Sequence, residues 1–384
     1  MSQTAALRPV RPSHREDADA LALELFVAGY DGISLPERYR ERLEQGLAGI
    51  ILFARNLQRT GAGERGDPID VDALCAQTAA IHAAGAQSGA LPTIVSVDQE
   101  GGLVARLRAP FFHAPPMRDV ADHDDVELTQ DVGAQTGAEC LAAGFNLDFA
   151  PVLDIDTNPD NPIIGRRAFG ATPEAVIRHA GAFLAGLQAE GVRGCGKHFP
   201  GHGDTDTDSH LALPRLPFDL ERLEAVELRP FAALAREMGM IMTAHVLFPA
   251  LDPKLPATLS PRILGPLLRE RCGFEGVICS DDLEMQGVAG AFSMTERIRL
   301  GLDAGVDLFL VCRVEAGLDE AVREVSRALQ QDDERGERVL DAIARVRHFR
   351  QGLRRPTPIR AAVEAAVGSE RAARLRIRMG LGTV

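Results

Sequence analysis

The chain has 384 residues, enough for one large barrel or two ordinary domains, and 45% hydrophobic and 25% charged residues are typical of a globular protein. The formal net charge of −13 argues against nucleic acid or an anionic membrane as the main partner, because both would be repelled. Residues 1–20 lack the apolar run of a signal peptide, and no segment has the roughly 20 apolar residues that a membrane span needs.

The cysteines and lysines are informative because of where they lie. The six cysteines are scattered without a CxxC pair, and several lie inside apolar runs. This favours buried, reduced thiols and a cytoplasmic protein. The chain has 40 arginines but only two lysines, Lys197 and Lys254. Since arginine is so strongly preferred, a lysine retained in the apolar, glycine-rich run around position 197 suggests a site that needs a compact ammonium group.

Short apolar runs recur along the chain at wide spacing and predict seven or eight parallel strands. Nearly continuous apolar runs, rather than alternating ones, are typical of strands that are covered on both faces. The runs, of which the first is the weakest, are LELFVAG (23–29), AGIILF (48–53), TIVSVD (93–98), FNLDFAPV (145–152), GCGKHF (194–199), GMIMTAHV (239–246), GVICSD (276–281) and DLFLVC (307–312).

Helical patterns separate several of these strands. Residues 172–190 open with Thr172 and Pro173, a candidate N-cap and first-turn proline, and carry an apolar stripe at Ile177, Ala180, Leu184 and Leu187. Alternating strands and helices over roughly 330 residues predict a single α/β domain, a (β/α)₈ barrel of the TIM type. We place this barrel at 21–353, between an N-terminal extension (1–20) and a basic C-terminal tail or helix (354–384).

Polar residues stand where the predicted strands end. In parallel barrels the active site is built at the carboxyl ends of the strands. One carboxylate at such a position often only caps the next helix, but a ring of polar residues without a counterpart at the strand starts predicts a catalytic face. The residues of this ring are Asp98, Asp148, Asp154, Lys197, His198, His245, Asp281 and Asp282.

The densest polar segment is KHFPGHGDTDTDSH, at 197–210, where glycines and a proline predict a loop leaving a strand end. Histidine exchanges protons near neutral pH, so this loop favours acid–base chemistry over a merely solvated surface. A metal site is the alternative, but the chain has no HxH or HExxH pattern. The segment contains His198, His202, His210, Asp204, Asp206 and Asp208.

Two adjacent aspartates end the run at 276–281. Because neighbouring strand residues point to opposite faces, one of the two carboxylates is aimed at the barrel mouth. Asp282 shares a face with Ser280, whereas Asp281 shares one with Cys279. This pattern favours Asp282 slightly and does not decide between the two.

Together these motifs resemble those of the NagZ-type β-N-acetylhexosaminidases of glycoside hydrolase family 3, in their single-domain bacterial form. The resemblance covers roughly residues 20–350, and its KHFPGHG…DSH motif is highly specific, whereas the SDD motif alone is weak. It rests on VDQEGG (97–102), GFNLDFAPVLDI (144–155), NPIIGRRAFG (161–170), KHFPGHGDTDTDSH (197–210), MTAHVLFPALDP (242–253) and GVICSDDLEM (276–285).

The resemblance implies an exo-acting β-N-acetylhexosaminidase that retains anomeric configuration and needs no metal or other cofactor. Its substrates would be amino-sugar glycosides, with cell-wall muropeptides as the natural source of N-acetylglucosamine. The implied nucleophile is Asp281, and the implied acid/base is His210, oriented by Asp208. The positions implied for sugar binding are Asp98, Arg106, Arg167, Lys197 and His198.

The chain departs from the family pattern at two places, where Leu103 replaces an arginine after VDQEGG and Ala168 stands in the usual RSFG sequence. Leu103 bears on nearby packing or substrate contacts. Four alternatives stay open: a β-glucosidase or β-xylosidase of the same family, a metal-dependent barrel hydrolase, a non-catalytic sugar-binding protein, and phosphorolysis in place of hydrolysis. We expect no nucleic-acid or membrane partner, and a monomer.

Overall fold

The computed structural model describes residues 7–61, 66–209, 211–313 and 315–381. Within them are ten β-strands, of which eight form a closed parallel barrel and two form a small antiparallel hairpin. The strands are β1 (Phe26–Ala28), β2 (Gly49–Ile51), β3 (Ile94–Val97), β4 (Gln99–Gly101), β5 (Val104–Ala105), β6 (Leu147–Asp148), β7 (Arg193–Phe199), β8 (Met240–Thr243), β9 (Val277–Asp282) and β10 (Leu308–Val311).

The barrel confirms the predicted (β/α)₈ fold. Its strands follow chain order, and β1 pairs in parallel with both β2 and β10, which closes the ring. The weakest of the predicted strands, within 23–29, is therefore the one that completes the barrel. Gly49 is required on β2, because a Cβ there would lie 2.3 Å from the carbonyl oxygen of Ile94 on β3.

Helices surround the barrel, and a π-helical turn at Leu264–Arg271 continues α9. The helices of the described residues are α1 (Arg15–Leu23), α2 (Glu37–Gln45), α3 (Val71–Gly85), α4 (Met117–Ala121), α5 (Val126–Ala142), α6 (Pro173–Ala189), α7 (Leu220–Ala225), α8 (Leu228–Leu234), α9 (Pro261–Ile263), α10 (Gln286–Ala289), α11 (Met294–Ala304), α12 (Glu315–Leu329), α13 (Glu334–Gln351), α14 (Arg360–Val367) and α15 (Glu370–Arg378). Among these helices we find none whose length and apolar content would let it cross a bilayer.

Helix α6 begins as its sequence predicts. The Thr172 hydroxyl accepts a hydrogen bond from the backbone of Ala175 at 3.3 Å, and Pro173 occupies the first turn. Of the predicted apolar stripe, Ala180, Leu184 and Leu187 are buried, whereas Ile177 is half-buried because the neighbouring Val176 takes the inner position.

The segments on either side of the barrel pack against it. Near the N-terminus, Arg11 pairs with Glu337 of α13 at 2.6 Å. At the other end, α14 and α15 lie against α5, where Arg378 pairs with Asp125 and Gln135 donates to the carbonyl of Ala366 at 2.9 Å. The C-terminal arginines thus neutralise carboxylates on the acidic barrel. We keep 21–353 as the proposed limits of the barrel domain.

Candidate active site

The polar residues at the strand ends surround a cavity of about 380 Å³ at the mouth of the barrel. All five positions implied for sugar binding line this cavity, together with both aspartates that end β9. They are Asp98, Arg106, Arg167, Lys197, His198, Asp281 and Asp282. Three other members of the predicted ring, Asp148, Asp154 and His245, are buried behind the cavity surface.

A hairpin made of β4 and β5 forms one wall of the cavity. The Gln99 side chain holds it closed, because its Oε1 accepts from the backbone N–H groups of Arg106 and Leu107, each at 2.9 Å. Its Nε2 donates to the carbonyl of Leu107 at 2.9 Å. This fold brings Arg106 back over the end of β3, where its guanidinium meets Asp98 at 3.1 Å.

Lys197 joins two carboxylates on this wall. Its Nζ lies 3.0 Å from Asp98 Oδ1 and 2.6 Å from Glu100 Oε1, and the lysine is only 3% exposed. The guanidinium group of Arg167 donates two hydrogen bonds of 2.8 Å to the carboxylate of Glu100, one to each oxygen. Bidentate pairing of this kind is geometrically specific as well as strong. The result is a rigid group of three cations and two carboxylates facing the cavity.

The ion pairs keep Lys197 and the two carboxylates charged. Burial acts to raise the pKa of Glu100, but Arg167 and Lys197 outweigh it and lower that pKa to about 2. Burial likewise opposes ionisation of Asp98, yet Lys197 and Arg106 hold its pKa well below the usual range. Burial lowers the pKa of Lys197, and the two carboxylates raise it above its ordinary value. A polar ligand therefore meets a fixed array of charges.

Sequence reasoning missed Glu100. It is 2% exposed and holds both Lys197 and Arg167, two of the positions implied for sugar binding. Its position in QEGG, two residues after Asp98, was the one feature of the sequence that could have indicated a role in the site.

Asp154 is buried and orients His198, near the end of β7, and His202 in the loop that follows. One of its oxygens lies 2.6 Å from Nδ1 of His198, and it accepts the backbone N–H groups of His198 and His202. His198 therefore turns its other ring nitrogen, Nε2, away from this contact. His202 is held on both sides, by Thr205 at 2.8 Å and by Ser209 at 3.0 Å. Burial lowers the pKa of His202 to about 4, so it is a neutral residue that stabilises the loop.

The loop after β7 runs along the cavity edge. Gly203 is required there, because a Cβ would lie 1.8 Å from the carbonyl oxygen of Ile155. Asp204 accepts from Thr157 at 2.6 Å, which ties the loop to the segment after β6. Ser209 lines the cavity, and the half-buried Asp208 accepts the N–H of Leu211 at its carbonyl. His210, the predicted acid/base, lies outside the described residues.

The two aspartates ending β9 have different surroundings. Asp281 Oδ1 accepts the backbone N–H of Asp282 at 2.7 Å, and the charge of Asp281 acts on His245 and on the buried thiols of Cys195, Cys279 and Cys312. Asp282 accepts the N–H of Glu284 at 3.1 Å, and burial is the main cause that raises its pKa to about 6. The alternation of side chains along the strand slightly favoured Asp282, which shares a face with Ser280. In the structure the Ser280 hydroxyl accepts the N–H of Leu310 on β10.

The aromatic ring of Phe53 also lines the cavity, although the pattern of polar residues at the strand ends did not predict it. Phe53 follows β2, and the guanidinium groups of Arg55 and Arg106 lie 4.3 and 5.9 Å from its ring centre. Leu103, the departure from the family pattern, lies at the tip of the β4–β5 hairpin and is 88% exposed. It is not among the residues that line the cavity.

Metal binding has no support in the described part of the chain, where no three His, Cys, Asp or Glu residues cluster in a way that would hold an ion. His198 and His202 are instead bonded to Asp154, Thr205 and Ser209. All six cysteines are buried free thiols.

Residues 34–348 match the model of the glycosyl hydrolase family 3 N-terminal domain. A β-hexosaminidase of Pseudomonas aeruginosa is 40% identical over 282 residues, which cover 73% of this chain and 80% of that protein. The chain belongs to glycoside hydrolase family 3. It is therefore a glycoside hydrolase, and the cavity at the barrel mouth is its candidate active site.

Solved structures agree with this family assignment. NagZ from Neisseria gonorrhoeae, in complex with N-trifluoroacetyl-D-glucosamine, is 32% identical with a TM-score of 0.74, and the match covers 93% of this family 3 hydrolase and 98% of that chain. A family 3 β-N-acetylglucosaminidase from Paenibacillus is 34% identical with a TM-score of 0.81, covering 94% of this chain and 68% of that one.

Proposed function

We propose that this hydrolase is a retaining, exo-acting β-N-acetylhexosaminidase that removes non-reducing terminal β-linked N-acetylglucosamine. The observation that carries the proposal is the ion-paired group of buried and half-buried residues that lines a cavity of about 380 Å³, namely Asp98, Glu100, Arg106, Arg167 and Lys197. A cavity of this size at the strand ends suits one sugar ring, and fixed charges and hydrogen-bonding groups supply orientation. Relatives about 40% identical are named β-hexosaminidases.

In the proposed first step, a carboxylate oxygen of Asp281 attacks the anomeric carbon as the bond to the leaving oxygen breaks. His210 donates its proton to that oxygen, and a glycosyl-aspartate ester forms. In the second step, His210 takes a proton from water, the water oxygen attacks the anomeric carbon, and Asp281 leaves as a carboxylate. Two inversions retain the configuration.

Asp208 has the proposed role of orienting the imidazole of His210 and stabilising its protonated form, as a carboxylate does beside a catalytic histidine elsewhere. A histidine can replace the usual acid/base carboxylate if its pKa lies near the working pH. Support comes from the position of the loop after β7, since Ser209, between these two residues, lines the same cavity as Asp281.

The natural substrate we propose is a cell-wall muropeptide fragment carrying terminal N-acetylglucosamine, hydrolysed in the cytoplasm by a monomer. The six free, buried thiols are compatible with a reducing compartment. The muropeptide itself rests on the resemblance to the NagZ-type enzymes.

The first test compares a chromogenic β-N-acetylglucosaminide with the matching β-glucoside. We expect kcat/KM to favour the N-acetylglucosaminide by about a hundredfold or more, because a site built to bond the acetamido group leaves polar groups unpaired without it. Both assays are run with and without phosphate, and a phosphate-dependent sugar phosphate product would indicate phosphorolysis. Equal kcat/KM for the two glycosides would instead favour a β-glucosidase.

Dialysis against a strong chelator should leave kcat and KM unchanged. The reason is that His198 and His202 are engaged by protein groups, and the proposed chemistry needs only carboxylate and imidazole. Activity is measured before dialysis, after dialysis and after adding zinc. Loss of activity that zinc restores would show that the loop after β7 holds a metal.

A further inference from the structure

Asp148 carries a carboxyl group that the proposed chemistry does not use. It ends β6 and is fully buried. The next residue, Phe149, lines the cavity, and neighbouring strand residues point to opposite faces. Asp148 therefore lies behind the cavity wall, near the buried thiol of Cys140 on α5.

The Asp148 carboxyl has one hydrogen bond to the described residues. Its Oδ1 accepts the backbone N–H of Gln99 at 2.9 Å, and its Oδ2 is buried without a hydrogen-bond partner there. An ionised carboxylate with so little compensation is costly to bury, so the protonated form is favoured. Burial is the main cause that raises the pKa of Asp148 to about 8.

The hydrogen bond from the Gln99 amide to Asp148 fixes the backbone of the cavity wall. Gln99 stands between Asp98 and Glu100, the two carboxylates that hold Lys197, Arg106 and Arg167. Fixing the Gln99 amide fixes the backbone that carries both carboxylates, and the Gln99 side chain also closes the hairpin.

We propose that Asp148, as a neutral carboxylic acid, is a positioning residue for the amino-sugar site, holding the Gln99 amide and through it the ion pairs that line the cavity. The inference rests on the proposed function, since it concerns affinity for the same sugar. When Asp148 ionises, a third negative charge is added near Asp98 and Glu100, whose charges already oppose its ionisation.

The groups that face Asp148 do not change charge near neutral pH. Ion pairing holds the pKa values of Asp98 and Glu100 low and that of Lys197 high. Burial keeps the thiol pKa values of Cys140 and Cys195 well above their usual range. Of this set, Asp148 is the member that titrates between pH 7 and 9.

The test is the dissociation constant of N-acetylglucosamine, measured by calorimetry at pH 7 and pH 9. If only the protonated form binds well, the wild type should lose affinity about tenfold between these pH values. Asp148→Asn keeps the acceptor for Gln99 and cannot ionise, so its affinity should stay constant. Asp148→Ala removes the acceptor and should bind about tenfold more weakly already at pH 7.

Glu139→Gln is the matched control. Glu139 is another buried carboxyl group, with its pKa raised to about 7 mainly by burial, but it bonds to Gln135 and Phe112 and does not line the cavity. This variant should keep the pH dependence of the wild type. The proposal would be overturned if the affinity of the wild type were the same at both pH values, or if Asp148→Asn lost as much affinity at pH 9 as the wild type. The comparison of Asp148→Asn with the wild type remains valid even if Asp148→Ala does not fold. A wild type that binds no N-acetylglucosamine at either pH would refute the amino-sugar site itself.

Discussion

Asp281→Asn should lower kcat/KM for a chromogenic N-acetylglucosaminide by about 10⁴-fold or more, whereas Asp282→Asn should retain most of the activity. Removing a nucleophile abolishes the covalent route, and effects of this size or larger are typical. Asp282 is a matched control because it is adjacent, lines the same cavity and accepts a backbone N–H that asparagine can still satisfy. Steady-state rates and thermal unfolding of both variants are measured together, so that loss of folding is separated from loss of chemistry.

The same prediction has a direct chemical readout. A slow fluorosugar substrate should leave a covalent adduct, and peptide mapping should place it on Asp281. An adduct on Asp282 would show that the alternation of side chains along β9 identified the nucleophile correctly and that the resemblance to the family did not. Turnover without an adduct on either residue would point to attack by the acetamido oxygen of the substrate.

His210→Ala should separate two kinds of substrate. With a sugar alkoxide as leaving group, which needs a proton, kcat/KM should fall by about 10²–10⁴-fold, the usual contribution of general acid–base catalysis. With dinitrophenolate, which leaves without a proton, the first step should be far less affected. The second step stays slow because the same residue activates water. A rapid burst of dinitrophenolate should therefore precede a slow steady state.

Two further variants sharpen this experiment. Asp208→Ala should give the same pattern more mildly, because Asp208 orients the imidazole and does not transfer the proton. His123→Ala, which changes an exposed histidine outside the cavity, should behave as the wild type with both substrates. An equal loss on both substrates without a burst in His210→Ala would assign His210 a binding or structural role. The proton donor would then be sought among carboxylates of the same loop, such as Asp204 or Asp206.

The barrel, and the end of it that carries the site, could be predicted from the pattern of apolar runs. Most barrel strands are buried on both faces and appear as nearly continuous apolar runs. The parallel arrangement then places the polar residues at the strand ends around the barrel mouth. Asp98, Lys197 and Asp281 were found in this way. Even the short strand at Phe26–Ala28 was visible, although its run is weak.

Which of these residues contact one another could not be predicted, because it depends on the packing of the folded chain. Glu100 follows Asp98 by two residues, yet nothing local shows that Gln99 folds the chain into a hairpin and turns Glu100 towards Lys197 and Arg167. Asp148 belonged to the same predicted ring as Asp98, but the wall of the barrel separates it from the cavity. The reason is that strand periodicity records burial on either face equally, whereas contact and charge depend on which strand, hairpin or helix lies opposite.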